Sequence, residues 1–182
     1  HTHLVFSLPN DRALLFRDVR KFGYCRAFAN EAEMRSWSFF ASLGPEPLEL
    51  GSEEFSDLFN LRRGRIKPLL LDQAVIAGIG NIYADEALHL AGIHPETPAD
   101  AIDGKGYERL HSGLVRVLRD AIAAGGSTFS DFVDALGVAG RFQEDFRVYG
   151  RAGEPCRSCG STLQRLVVGG RSSVFCPRCQ PG

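Results

Sequence analysis

Two cysteine pairs constrain this chain more tightly than anything else in it. Cys156-Arg157-Ser158-Cys159 and Cys176-Pro177-Arg178-Cys179 are C-x₂-C knuckles separated by 16 residues. Four thiolates at such a spacing can surround one tetrahedral Zn²⁺ at S–Zn distances of about 2.3 Å. Between the knuckles, Leu166-Val167-Val168, the turn Gly169-Gly170, and Val174-Phe175 predict a β-hairpin whose strand ends deliver both pairs to one point. Disulfides and redox pairs are the alternatives, but a thioredoxin-type motif uses a single C-x-x-C in a βαβ setting. Structural zinc is therefore the expectation. A closed four-cysteine shell leaves no position for water, so the metal would staple the fold and not catalyse. The hairpin then presents its tip, where Arg171 follows the glycines either as a contact residue or as a solvated turn arginine. The fifth cysteine, Cys25, is expected to be a small buried apolar residue.

With 182 residues, 44% of them hydrophobic, the chain has room for one domain or two small ones. An odd cysteine count disfavours a secreted disulfide framework, and no apolar run nears the roughly 18 residues of a membrane span. The formal charge of −1 conceals three basic blocks: +3 over residues 11–28, +4 over 61–71 and +4 over 141–182, separated by acidic stretches of −6 each. Brought to one face, such blocks would form an electrostatic footprint for nucleic acid; otherwise they are ordinary solvated charge. The sole methionine is Met34, and His1-Thr2-His3-Leu4-Val5-Phe6 reads as a strand already under way, so the sequence reads as a piece of a longer protein.

Residues Leu4 to Phe28 read as β-structure, with Pro9-Asn10-Asp11 as a turn. Leu43-Gly44-Pro45-Glu46-Pro47-Leu48 reads as a boundary, after which the apolar period becomes helical. Helices are predicted from a Ser52 cap, from near Pro68, from just after Gly80 to Gly92, and from about Gly106 to Ala124. The last places Leu110, Leu114, Val117, Ala121 and Ile122 on one face. Ser127 or Thr128 would cap a short fifth helix holding Phe129, Phe132 and Val133.

Three further segments can carry chemistry. Gly78-Ile79-Gly80-Asn81-Ile82-Tyr83 lacks the third glycine of a dinucleotide loop but opens a helix, where backbone N–H groups and Asn81 could face a phosphate. Equally, Asn81 could simply be an N-cap. Arg20 and Phe22 lie two apart on an extended segment, as a wedge pair would, or as a core aromatic beside a solvated charge. Arg62-Arg63-Gly64-Arg65-Ile66-Lys67 is the densest basic run, suited to phosphates or to water.

Together these residues resemble the bacterial formamidopyrimidine-DNA glycosylase family. The likeness runs through Asp18-Val19-Arg20-Lys21-Phe22-Gly23, Leu43-Gly44-Pro45-Glu46-Pro47-Leu48, Lys67-Pro68-Leu69-Leu70-Leu71-Asp72-Gln73 and Gly80-Asn81-Ile82-Tyr83-Ala84-Asp85-Glu86. It continues through Ala91-Gly92-Ile93-His94-Pro95, Gly125-Gly126-Ser127-Thr128, Val148-Tyr149-Gly150-Arg151 and the final knuckle with Gln180. Each motif is weak by itself; their order and spacing are specific.

The resemblance implies an α+β protein: the end of an N-terminal β-sandwich over residues 1–47, a helix–two-turns–helix domain over 48–136, and a lesion loop with a four-cysteine zinc β-hairpin over 137–182. It implies one structural zinc on Cys156, Cys159, Cys176 and Cys179. The implied partner is duplex DNA carrying oxidised bases or abasic sites, bound by a monomer in the bacterial cytoplasm at the nucleoid, with no membrane. Asn81 and Arg171 would grip phosphates flanking a flipped nucleotide, with Arg171 also serving δ-elimination. Arg20 and Phe22 would fill the vacated stack, and His1 and Arg62 would contact DNA. Gly140, Arg141, Phe142 and Gln143 would belong to a loop closing over an oxidised purine. The implied chemistry is base excision followed by β,δ-elimination through a Schiff base on an N-terminal proline, aided by a glutamate and a lysine. None of these three groups is in this chain, whose 182 residues alone are expected to bind DNA without cutting it. Two rival readings are an endonuclease-VIII-like glycosylase for oxidised pyrimidines and a non-enzymatic zinc-ribbon DNA-binding protein. The Gly80-Asn81-Ile82-Tyr83 form and the loop from Gly137 to Phe146 favour the purine enzyme, and a Pro-Glu start encoded upstream of His1 would exclude the binding protein.

Overall fold

The computed structural model describes residues 1–19, 21–128, 133 and 136–182, which divide into units of residues 1–41 and 42–182. In the first unit, β1 (Thr2–Leu8) pairs antiparallel with β2 (Arg12–Arg17), Phe6 opposite Leu14. Asn10 and Asp11 make the turn at φ of 62° and 53°, a region these two side chains tolerate better than most. The strand reading fails beyond Arg17: described residues from there to Phe28 form no strand, and two short helices follow, α1 (Glu31–Ser36) and α2 (Ser38–Ala41). Asn30 caps α1 by accepting the Glu33 N–H, while the Glu33 carboxylate accepts the Ala29 N–H, both at 2.9 Å. No described residue of this unit is buried, and Cys25 is exposed, against the expectation of a buried thiol. A two-stranded ribbon has no second layer of its own to cover either face, so Val5 is 61% and Leu15 50% exposed.

The second unit is helical. Among the described residues its α-helices are α3 (Ser52–Asp57), α4 (Ile66–Leu71), α5 (Asn81–Ala91) and α6 (Gly104–Ala123). Ser52 is the first residue of α3 and not its cap; Gly51 takes that place, its N–H held by the Glu54 carboxylate at 2.9 Å. Gly92 closes α5 in the left-handed region, as its sequence position predicts. Asp103 caps α6 by accepting the Gly106 N–H at 2.7 Å. Leu110, Leu114, Val117 and Ala121 are buried along α6, but Ile122 is 67% exposed because it falls one step beyond the buried stripe. The predicted fifth helix lies outside the described residues apart from Val133.

Phe55, Phe59, Ile66, Leu70, Ile76, Leu88 and Leu110 build the main core with Tyr107. Tyr107 stacks on Phe59 and donates its hydroxyl to the Ala99 carbonyl at 2.8 Å. Burial, with Asp100 nearby, pushes its phenol up to about 12. A raised acid pKa means that stability falls as pH climbs from the unfolded value near 10 towards 12. Tyr107→Phe should therefore cost about 0.5–1.5 kcal/mol at neutral pH, because it removes a buried hydrogen bond while the Ala99 carbonyl keeps the Ile102 N–H. The cost should shrink between pH 10 and 12 in urea titrations; a gap that stays constant over that range would refute the assignment.

Candidate nucleic-acid interface

The C-terminal hairpin forms as its sequence predicts. Strand β3 (Gln164–Val168) pairs antiparallel with β4 (Arg171–Phe175), Val168 opposite Arg171. Gly169 and Gly170 bridge them at φ of 55° and 75°, a turn that needs two residues free of a Cβ penalty. The four sulfur atoms of Cys156, Cys159, Cys176 and Cys179 lie within 4.8 Å of one another. Cys159 and Cys176 Sγ are 3.4 Å apart and Cys156 and Cys179 Sγ 4.0 Å, compared with about 3.8 Å for the edge of a zinc–thiolate tetrahedron with 2.3 Å arms. The donor set fits Zn²⁺. Hydrogen bonds from Ser161 hold the Cys159 thiol down to about 6, while burial pushes Cys179 up to about 12.

Helix α5 carries the hairpin on one face. Asn81, Asp85 and His89, spaced four apart, meet it at three successive points. Asn81 donates Nδ2–H to the Ser172 carbonyl at 3.0 Å. Asp85 accepts the Ser173 hydroxyl at 2.7 Å and the Val174 N–H at 3.1 Å. His89 Nε2 lies 3.5 Å from Cys156 Sγ. From α4, Lys67 pairs with Asp85 at 2.7 Å and donates to the Ser172 carbonyl at 2.9 Å, the two side chains only 0% and 1% exposed. Burial pushes the Lys67 amine down and the Asp85 carboxyl up, each opposed by the other's charge. Gln180 links the Cys176 N–H to the Ile93 carbonyl. The adjacent Glu86 accepts the N–H groups of Arg147, Val148 and Tyr149 at 2.8–2.9 Å, fixing the approach to the hairpin.

This arrangement puts Arg171, exposed at the hairpin tip, beside the N-terminus of α5 through Ser172. Gly80, and not Asn81, is the helix N-cap, so Asn81 is the first helical residue, and its Oδ1 is buried without a hydrogen-bond partner among the described residues. The turn ahead of it is shaped by Gln73, which accepts the Gly78 N–H and donates to the carbonyls of Leu71 and Ile79. Within the 61–71 basic run, Lys67 is buried and Arg65 pairs with Glu96 at 2.8 Å, while Arg62 and Arg63 are exposed. Arg62 donates Nε–H to the Leu58 carbonyl at 2.7 Å.

The other predicted residues are placed differently. His1 and Phe22 are exposed in the first unit, Phe22 at 77%. There the Asp18 carboxylate holds the Lys21 and Gly23 N–H groups on either side of Phe22. Arg20 lies outside the described residues. Gly140, Arg141, Phe142 and Gln143 form an anchored segment. Phe142 is 5% exposed and packs with Val117, Ala121 and Phe146. Gln143 accepts the Thr128 N–H and donates to the Gly140 carbonyl, and a Cβ on Gly140 would collide with the Gly126 carbonyl. Of these four, Arg141 is the exposed one.

Sequence reasoning read Lys67 only as part of the basic run and gave no role to Asp85, Glu86 or His89; all four are buried. For the three on α5, the signal available was the clustering of Asp, Glu and His in a stretch, residues 84–91, otherwise made of Ala and Leu, since buried polar groups are as a rule paired.

The fold and site define a class: a helix–two-turns–helix domain completed by a zinc hairpin. Residues 43–133 match the model of the formamidopyrimidine-DNA glycosylase H2TH domain, and 153–182 match that of the zinc finger found in FPG and IleRS. The chain belongs to the formamidopyrimidine-DNA glycosylase family. It is 52% identical over 180 residues to the enzyme of that name from Nitratidesulfovibrio vulgaris, covering 99% of this chain and 49% of the relative. It is 46% identical over 185 residues to that of Geobacillus kaustophilus, covering 99% and 66%. The chain thus spans about half to two thirds of the length of these relatives. Among solved structures, Lactococcus lactis Fpg in complex with abasic-site DNA superposes with a TM-score of 0.89 at 36% identity, covering 100% of this chain and 67% of that one. MutM (Fpg) from Thermus thermophilus gives 0.86 at 40% identity, covering 99% and 68%. As a member of this family the chain holds one structural zinc ion on its four knuckle cysteines, and no helix among the described residues is long and apolar enough to cross a membrane.

Proposed function

We propose that this chain is the DNA-gripping part of a bifunctional DNA glycosylase and AP lyase. The whole protein would excise oxidised purines, 8-oxoguanine and formamidopyrimidines, from duplex DNA and nick the abasic site by β,δ-elimination. The observation carrying this reading is the exposed Arg171 at the hairpin tip, whose chain neighbour Ser172 accepts from Asn81, the first residue of an 11-residue helix. Arg171 offers a planar fork of donors to a phosphate, and Asn81 adds its second amide hydrogen and the unpaired N–H groups of the first helical turn. Relatives solved with abasic-site DNA and with Fapy-dG DNA support the same partner here. Arg62 and His1 would add phosphate contacts, and Phe22 with Arg20 would enter the stack. Gly140, Phe142 and Gln143 root the loop that closes over the lesion, with Arg141 reaching outward from it. These residues bind, orient and hold. The nucleophilic amine and its acid/base partner, as the family resemblance implies them, are not among them, and the closed zinc site takes no part in the chemistry. The working place of such an enzyme is the nucleoid.

Binding of the 182-residue chain to a duplex with a tetrahydrofuran abasic analogue tests the proposal. With about 4–6 phosphates neutralised, log K against log salt should fall with a slope of roughly −4 to −5. Arg171→Ala should weaken binding by about 10–100-fold and flatten the slope by about 1. Salt-insensitive binding, or lesion-dependent cleavage by this chain alone, would overturn the reading.

A further inference from the structure

Helix α5 buries three polar side chains, and all three serve the C-terminal module: Asp85 the strand β4, Glu86 residues 147–149, and His89 the zinc site. The first two have their hydrogen-bonding capacity well used. His89 does not. It is 5% exposed, its Nε2 sits 3.5 Å from Cys156 Sγ, and its Nδ1 has no hydrogen-bond partner among the described residues. An orphaned ring nitrogen costs free energy, so the other nitrogen must return something.

The orphan also fixes which nitrogen carries the proton. A proton on Nδ1 would bury an unpaired donor and turn the Nε2 lone pair towards a sulfur that is a thiolate when zinc is bound. A proton on Nε2 makes an N–H···S hydrogen bond instead, and the charged ring would donate from the same atom. A four-thiolate zinc centre carries net negative charge, which donors to sulfur disperse. Ser158 N–H donates to Cys156 and Cys179 N–H to Cys176, both at 3.4 Å and both from inside the knuckles, and Ser161 donates to Cys159 from just beyond the first knuckle. His89 differs because it comes from another element, 67 residues away in sequence, and is held in place by a packed helix.

We propose that His89 is an outer-shell positioning residue of the zinc centre: its Nε2–H holds the Cys156 thiolate, ties the metal site to α5 and slows metal loss. The spacing of the four ligands does not reveal this, since the contact lies outside the coordination sphere.

The test uses the zinc-loaded chain with His89→Phe, which keeps the ring and removes the donor, and His89→Gln, whose amide nitrogen can take the place of Nε2. Metal transfer to excess 4-(2-pyridylazo)resorcinol should show zinc held about 10–100-fold less tightly in the Phe variant. The Gln variant should stay within a few-fold of the parent. In cobalt-substituted protein, the thiolate-to-cobalt charge-transfer band should move to lower energy in the Phe variant and hold its position in the Gln variant. Should His89→Phe fail to fold, His89→Leu replaces it with the same expectations. Parental zinc retention in the apolar variant would overturn the proposal. So would equal losses in the apolar and Gln variants with the band unmoved, the pattern of a residue that only fills space.

Discussion

Removing zinc with a strong chelator under reducing conditions should unfold the hairpin while the helical core keeps its helix signal. The reason lies in how little the module buries. Its cluster comprises Val148, Leu163 and Val174 with the ligands Cys156 and Cys176. Even with Val168 and Phe175, also buried, five apolar side chains at about 1.5–3 kcal/mol each fall well short of the ~1–2 kcal/mol per residue needed to order both strands and knuckles. Metal binding in comparable small modules supplies an apparent ~10–16 kcal/mol. The main core, by contrast, draws on α3 to α6 and includes no cysteine. In a heteronuclear NMR spectrum, amide resonances of residues 155–180 should collapse towards unfolded positions, and those of α5 and α6 should stay dispersed. Restoring zinc should return the resonances of residues 155–180 to their dispersed positions. A dispersed hairpin in the metal-free chain would show that docking on α5 suffices without the ion.

The second large effect is at the Lys67–Asp85 pair. Removing one partner strands an uncompensated charge in a site with essentially no solvent exposure, so Lys67→Met should cost about 3–5 kcal/mol. For a chain of this size that lowers the melting temperature on the order of 10 °C. Adding Asp85→Asn should recover much of the loss, because the amide is neutral yet its oxygen can still accept from Ser173 or Val174. A double variant as unstable as Lys67→Met, or a single variant as stable as the parent, would contradict the buried-pair assignment. The pair should contribute little pH dependence near neutrality: neutralising it moves a proton from Lys67 to Asp85, with no net exchange with solvent.

Legibility in the sequence followed the range of the physics. The zinc ligands, the Gly169–Gly170 turn, the α5 span from Asn81 to Ala91 and most of the α6 face depend on local spacing, and local spacing is visible in a chain. Lys67 was read with its basic neighbours because nothing nearby reveals Asp85, 18 residues on, as its partner. Asp85 and Ser173 are 88 residues apart, and no periodicity encodes their contact. Phe142 and Gln143 read as loop because their anchors, Val117 and Thr128, come from other segments. The β reading overran Arg17 because alternating apolar residues suit a strand only where another strand is available to pair with.

The shared use of the Ser172 carbonyl by Asn81 and Lys67 has a mechanical consequence. It fastens the backbone beside Arg171 to the helix end, so the proposed grip would act as a calliper whose backbone span is set before the duplex arrives. Any mismatch between that span and the phosphate spacing of straight DNA must then be met by bending the DNA. Stiff, well-stacked sequence resists, whereas a site with a weakened stack yields at lower cost. Part of the discrimination between damaged and intact DNA would then rest on rigidity in the protein measured against compliance in the nucleic acid, before any contact with the base itself.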